Sequence, residues 1–463
     1  MAGSVSAGLR PASPSVSAVF EGASRQAVER AAARLRSRLR HKRWLASTNG
    51  YLPQAPKRLN KQFSRERTTA LALPKGSHDA THLAEYVAAS TILHCADGWA
   101  YLGRAMGAQL RGDIGAARHL AYYAELRAAV SLLANEGIGV FNRVQAVLRE
   151  SGDVELFRQE STHVFAWNAL SKWTERPESQ DLFGEVIEPA DAPLADWLAP
   201  LTSGSVWKAR GRDYLRTWGL DVKRFALDRE ARNDSSYQPR TVFGAKAPAS
   251  IRAARFSRDF WELFEPEGAT NFGLLDRYLL RRMLRRIFEA RTEESAAVQQ
   301  KAFIEFLEPA LERVQTSQSD GQLIQFLSGQ NHAEEPPLFG EAEQSSPVDD
   351  AEDHLQVIAR AALLLRVASG AARRLLTKAA LSLPDYEWWV RQMAANRALA
   401  LEDAETLVRP EELWGDVGAA IEELDRMMPA GETDTYVEMG GGGSRELALL
   451  GGCERIALWG IAA

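Results

Sequence analysis

Apolar residues recur at three- and four-residue steps along most of the chain, and alternation two apart is scarce, so the pattern predicts helices nearly throughout. The clearest covers 121–138. Tyr122/Tyr123, Leu126, Val130 and Leu133 make one stripe, and Ala121, Ala124, Ala128 and Ala129 flank it with small side chains. Asn135-Glu136-Gly137 supplies a stop, because glycine takes the left-handed conformation without steric cost. Small residues beside an apolar stripe let neighbouring helices approach closely, which predicts the central rod of a bundle. A second periodic run, 77–110, carries Leu83, Tyr86, Val87, Ile92, Leu93, Trp99 and Leu102, and Gly112-Asp113 turns the chain between the two.

Beyond this pair, 142–149 reads as a further helical turn or two, and 161–172, with Trp167 and Leu170, as a third element. Prolines and acidic residues interrupt 177–200, which predicts a surface loop with one short helix. A helix pair is expected over 205–234 around Trp207, Tyr214, Leu215, Trp218 and Phe225, then a second helical block over 253–314. Within that block Leu280, Met283, Leu284, Ile287 and Phe288 form a core stripe. Arg277, Arg281 and Arg285 share the other face, with Arg282 and Arg286 beside them. A solvated basic edge is one reading of these arginines, and docking to phosphate or an acidic partner is the other. Pro336-Pro337, Ser345-Ser346-Pro347 and Asp349-Asp350-Ala351-Glu352-Asp353 mark 331–353 as a linker. A helix resumes over 354–380, Tyr386, Trp388, Trp389 and Trp414 anchor a small C-terminal helical domain, and Gly440–Gly443 is a glycine linker before 446–461. The expected architecture is all-α and multi-domain: an N-terminal arm (1–75), a bundle (76–250), a second block (251–330), an acidic linker (331–353) and a C-terminal domain (354–463).

Charge changes this picture at the ends. The chain has 463 residues, enough for two to four domains, and a net charge of −5. Residues 1–68 hold 14 Lys/Arg against three Glu, whereas 331–353 hold eight Asp/Glu and no Lys or Arg. Residues 1–20, small and polar, read as partly disordered, and 23–45 as a basic helix. Such a helix neutralises nucleic-acid phosphates or pairs with acidic segments of the same protein. Two cysteines, Cys95 and Cys453, cannot make a zinc site and fit a reducing compartment. No apolar run approaches the roughly 20 residues of a membrane span, and the N-terminus lacks a hydrophobic signal core. A cytoplasmic bacterial protein without membrane contact is the expectation.

The paired tyrosine, the small residues, Leu132-Leu133 and the Gly137-Ile138 end resemble the core helix of the HEPN superfamily of small helical domains, over about residues 80–240. Many members are RNA-cleaving toxins or antiviral defence effectors. The resemblance implies an up-and-down helical bundle, no cofactor or metal, and RNA cleavage across a dimer interface. It directs attention to an Arg, four to six residues, then His, near the start of the last bundle helix. Histidine titrates near neutral pH and can move the 2′-hydroxyl proton, while arginine forks onto phosphorane oxygens as charge builds. Arg158 and His163 have this spacing, as do Arg34 and Arg36 with His41, so spacing alone does not choose. Arg232-Asn233, with Arg229 a turn earlier, suits the last bundle helix by position, but Tyr237 stands where the family has its histidine. A phenol with a pKa near 10 is a poor general base. Arg158, His163, Arg232 and Tyr237 are therefore the catalytic candidates, and Arg229, Asn233, Arg281 and Arg285 the RNA- or phosphate-binding ones. His78 and His82 share a helix face but lack a third ligand and read as helix-start residues. Two functions follow: an RNA-directed effector or RNA-binding component of a prokaryotic conflict system, or a non-catalytic helical scaffold subunit that dimerises or docks a partner protein.

Overall fold

The computed structural model describes residues 15–36, 70–141, 144–158, 161–202, 210–225, 227–228, 250–292, 295, 299–314, 320–329, 335–344, 353–395, 409–427 and 444–462. Two short helices, α1 (Val16–Gly22) and α2 (Arg25–Ala33), lead through β1 (Ala70–Leu73) to a long antiparallel hairpin, α3 (His78–Gln109) and α4 (Ile114–Asn135). Strands β2 (Ile138–Phe141), β3 (Val144–Leu148) and β4 (Val154–Arg158) follow, then α5 (Thr162–Trp173), α6 (Pro177–Val186), α7 (Leu194–Thr202) and α8 (Gly211–Thr217). The second half is helical in its described elements: α9 (Ser250–Leu263), α10 (Gly273–Thr292), α11 (Gln300–Arg313), α12 (Asp320–Ser328), α13 (Pro337–Glu343), α14 (Asp353–Lys378), α15 (Leu383–Ala395), α16 (Pro410–Met427), α17 (Ser444–Leu450) and α18 (Glu454–Ala462). The fold is all-α in its bulk.

The hairpin is set by local chemistry. Ser77 and Asp113 cap α3 and α4 by accepting from the backbone N–H of Ala80 and Ala116. Gly112 (φ +78) turns the chain between them and Gly137 (φ +90) ends α4. The alanines of α4 from Ala117 onward are buried, and α14 lies along both α3 and α4. A Cβ on Gly98 would come within 2.5 Å of Leu365, so the missing side chain permits that close approach. α14 is the described helix long and apolar enough to cross a membrane, and its apolar stretch is wholly buried in the protein.

Several expectations are corrected. α14, assigned from the sequence to a separate C-terminal domain, instead completes the core around the α3/α4 hairpin, and α17 and α18 also pack on α3. Residues 144–148 are not helical but form β3, an inner strand beside β4 in a four-stranded antiparallel sheet of order β1-β4-β3-β2, with Ile138 opposite Val147 and Ala70 opposite Phe157. The expected loop at 177–200 holds α6 and α7 with Leu182, Phe183 and Trp197 buried, and the expected linker contains α13 with Leu338 and Phe339 buried. Within 1–20, read from the sequence as partly disordered, α1 begins at Val16 and places Val19 and Phe20 in the core, while residues 1–14 lie outside the described residues. The glycine linker 440–443 lies outside the described residues.

Two ion clusters lie inside this core. Arg366 of α14 and Asp276 of α10 are fully buried and joined by two hydrogen bonds of 2.8 and 2.6 Å. Arg360, nearly two turns earlier on α14, holds Asp228 through bonds of 3.1 and 2.6 Å and stands 3.6 Å from Glu125 of α4.

Candidate nucleic-acid interface

The antiparallel α3/α4 hairpin brings together rings far apart in sequence. Tyr101 of α3 and Tyr123 of α4 stack with centroids 5.4 Å apart at 24°, and His119, one turn before Tyr123, lies 5.1 Å from it. The start of α5 adds His163, 6.1 Å from Tyr123 and stacked on Tyr122 at 5.7 Å. Guanidinium groups of Arg104 and Arg127 sit over the Tyr101 ring at 5.4 and 5.8 Å, within cation–π range. Tyr101, His119, Tyr123, Arg127 and His163 are half-buried, while Arg104 is exposed. The face therefore offers flat aromatic surface with positive charge at its edge.

Hydrogen bonds hold two histidines in place. The indole Nε1 of Trp167, which can only donate, is 3.3 Å from the Tyr122 hydroxyl, and that hydroxyl is 2.9 Å from His163 Nδ1. Tyr122 therefore accepts from Trp167 and links that indole to the His163 ring. Arg127 donates to His94 Nδ1 at 2.8 Å and lies 3.8 Å from Asp97. Burial, with Arg127 adding to it, pushes the His94 pKa down to about 3, so His94 is a neutral acceptor that holds Arg127 in place. A histidine with a depressed folded pKa stabilises the fold above pH 6.5 and loses that contribution as pH falls toward 3. His94→Gln retains an acceptor and is expected to flatten the pH dependence of the melting temperature over that window. An unchanged acid limb in the variant would show that His94 does not carry it.

Of the catalytic candidates, His163 heads α5 in the Tyr122–Trp167 network and Arg158 closes β4, opposite Val144. Arg229, Arg232, Asn233 and Tyr237 lie outside the described residues. The chain leading to them is placed: Phe225 stacks on Trp167 at 4.7 Å, and Asp228 faces Glu125 and Arg360, so this segment returns to the double-tyrosine helix as far as residue 228. Arg281 and Arg285 are on α10. Arg281 is buried, not part of a solvated edge, because α12 covers that face. The basic N-terminal helix is used internally over its described part. Arg25 pairs with Glu136 at 2.7 Å, Arg30 donates to the Glu150 carbonyl, Arg34 faces Glu85 and Arg36 faces Asp385. His78 and His82 open α3 with rings 4.0 Å apart, and among the described residues no three His, Cys, Asp or Glu side chains gather as a metal site. Cys95 is buried against Ser369, its pKa raised to about 12 chiefly by that burial.

The sequence reading missed Tyr101, Arg104, His119, Arg127 and His94. A signal was present: Tyr101 and Tyr123 are equidistant from Gly112, as are Asp97 and Arg127, and residues equidistant from the turn of a helical hairpin meet. No protein-family model matches the chain, and neither a curated protein nor a solved structure matches it.

Proposed function

We propose that the protein binds single-stranded RNA through the Tyr101–Tyr123–His119–His163 face, as a HEPN-like binding component that needs no metal. The observation that carries this reading is the stacked, half-buried pair Tyr101 and Tyr123 with Arg104 and Arg127 over it. Unpaired bases stack on aromatic faces and on guanidinium planes, whereas the bases of a duplex are already stacked on each other. His163 adds its second ring nitrogen as a polar contact for a base edge or a phosphate. Binding is favoured over cleavage because the Tyr122 hydroxyl already engages His163 through Nδ1, which leaves one ring nitrogen for a substrate. Arg127, which the face would need as its transition-state cation, is engaged by His94 and Asp97.

Fluorescence anisotropy with a short labelled single-stranded RNA at low salt tests this. Tyr123→Ala is expected to weaken binding about tenfold, as for the loss of one base stack. Arg104→Ala is expected to lower the slope of log affinity against log salt by about 0.7, one phosphate contact. Wild-type protein that does not bind, or a Tyr123→Ala variant of unchanged affinity, overturns the assignment. RNA that is cut by wild-type protein and spared by His163→Ala replaces binding with catalysis.

A further inference from the structure

We propose that Arg281 and Arg285 form a second, independent site that takes the terminal phosphate of a small phosphorylated ligand, under the C-terminal turn of α12. Successive turns of α10 present Arg277, Arg281, Arg282 and Arg285, and the structure partners them unequally. Arg277 is paired with Glu267 at 2.6 Å. Arg282 is paired with Glu335 at 2.7 Å and with Glu343, and it donates to the Thr217 carbonyl. Neither Arg281 nor Arg285 is joined to a carboxylate by an ion pair, and Glu289, one turn after Arg285, acts on it only through its field. Arg281 is 7% exposed, its guanidinium lies 5.6 Å from the Phe326 ring centre, and its Nε and Nη1 have no hydrogen-bond partner.

The two guanidiniums converge. A Cβ on Gly329 (φ +78) would be 2.6 Å from Arg285 Nη2 and 2.7 Å from Arg281 Nη2, so the bare glycine leaves room for both at one spot. Burial lowers the pKa of each, and Arg285 lowers that of Arg281 further. Two like charges held side by side away from water are unfavourable unless an anion joins them. Glu335, whose field reaches both, is already bound to Arg282. A phosphate dianion meets the requirement, since guanidinium forks match its oxygens and two of them balance its charge. The enclosure of Arg281 selects a terminal monoester. A polynucleotide presents its phosphates along a continuous strand and cannot bring one beneath α12.

The test is thermal unfolding in inorganic phosphate against chloride at equal ionic strength. Wild-type protein is expected to gain about 2 °C at tenfold excess over the dissociation constant. Arg285→Gln, at a half-buried position, should fold and lose the gain. Arg281→Met should melt higher than wild type in chloride, because a buried unpaired charge is removed, and should not respond to phosphate. No gain in wild type, or equal gains in all three proteins, overturns the site. RNA lacking terminal phosphates should produce no shift that depends on Arg285, and such a shift would overturn the assignment to a small ligand.

Discussion

Replacing Asp276 with alanine is expected to lower the unfolding free energy by about 3–5 kcal/mol, the largest loss for a single carboxylate among the described residues. Asp276 is completely buried, and both its oxygens are committed to Arg366, which is also completely buried. Asp276 Oδ2 also accepts from the Glu188 backbone N–H at 2.8 Å, and Arg366 donates to the Val186 carbonyl at 2.8 Å. The pair thus ties the α6–α7 connection to α10 and α14, with the Phe272 ring 4.5 Å from the guanidinium. Alanine removes the anion and leaves the cation where water cannot reach it, and that uncompensated charge dominates the loss. Asp276→Leu combined with Arg366→Met removes both charges and is expected to recover most of the stability, because buried pairs are often no better than apolar groups of similar volume. Urea unfolding measures both. A single variant within about 1 kcal/mol of wild type, the ordinary scale of a point mutation, would show that water or a rearranged carboxylate reaches Arg366.

How much of this was legible beforehand depends on the range over which each feature is determined. α3, α4 and α14 follow from the helical period, and Ser77, Asp113 and Gly137 mark their ends as capping rules require. The sheet was hidden because its strands are four or five residues long, and β3, buried on every residue, shows no alternation. Prolines misled in a consistent direction. Pro177, Pro189 and Pro337 stand in the first turn of helical elements, where a missing N–H costs nothing, and they had been read as breaks. Charge left choices open that only the tertiary fold makes: the arginines of α2 suited phosphates or acidic segments of the same protein, and Arg25 finds Glu136, while Arg281 of α10, read as a solvated edge or a docking face, lies under α12. His163 was singled out through its spacing to Arg158, yet its observed partner, Tyr122, comes from α4 and could not be found by local spacing.

Replacing Arg360 with methionine is the other change expected to cost about 3–5 kcal/mol, and here the loss should depend on pH. Arg360, Asp228 and Glu125 are buried together with two carboxyls for one guanidinium. Burial, then the charge of Asp228, raises the Glu125 pKa well above the ordinary carboxyl value, and Arg360 only partly offsets this. Asp228 is raised too, by burial, although Arg360 binds it directly. Burial and the neighbouring charge of Asp228 favour the protonated form of Glu125, while Arg360 forks onto Asp228. A raised folded pKa means that the folded state binds the proton more tightly than the unfolded chain. The stabilisation is complete below about pH 4.3, the value for an unperturbed Glu, and is lost as pH rises through the folded pKa. Glu125→Gln needs no proton to stay uncharged beside Asp228, so it is expected to match wild type near pH 4 and exceed it at pH 8. Arg360→Met should be least damaging at acid pH, where both carboxyls are protonated, and most damaging above neutrality. Urea unfolding of the three proteins at pH 4, 6 and 8 decides between a protonated Glu125 and two ionised carboxylates. Under the second arrangement Glu125→Gln would leave the slope of stability against pH above 5 unchanged. The same triad holds Asp228, the last placed residue before Arg229 and Arg232, against the double-tyrosine helix. Loss of RNA binding in Arg360→Met at pH 8, with binding retained in Glu125→Gln, would tie that anchorage to the aromatic face.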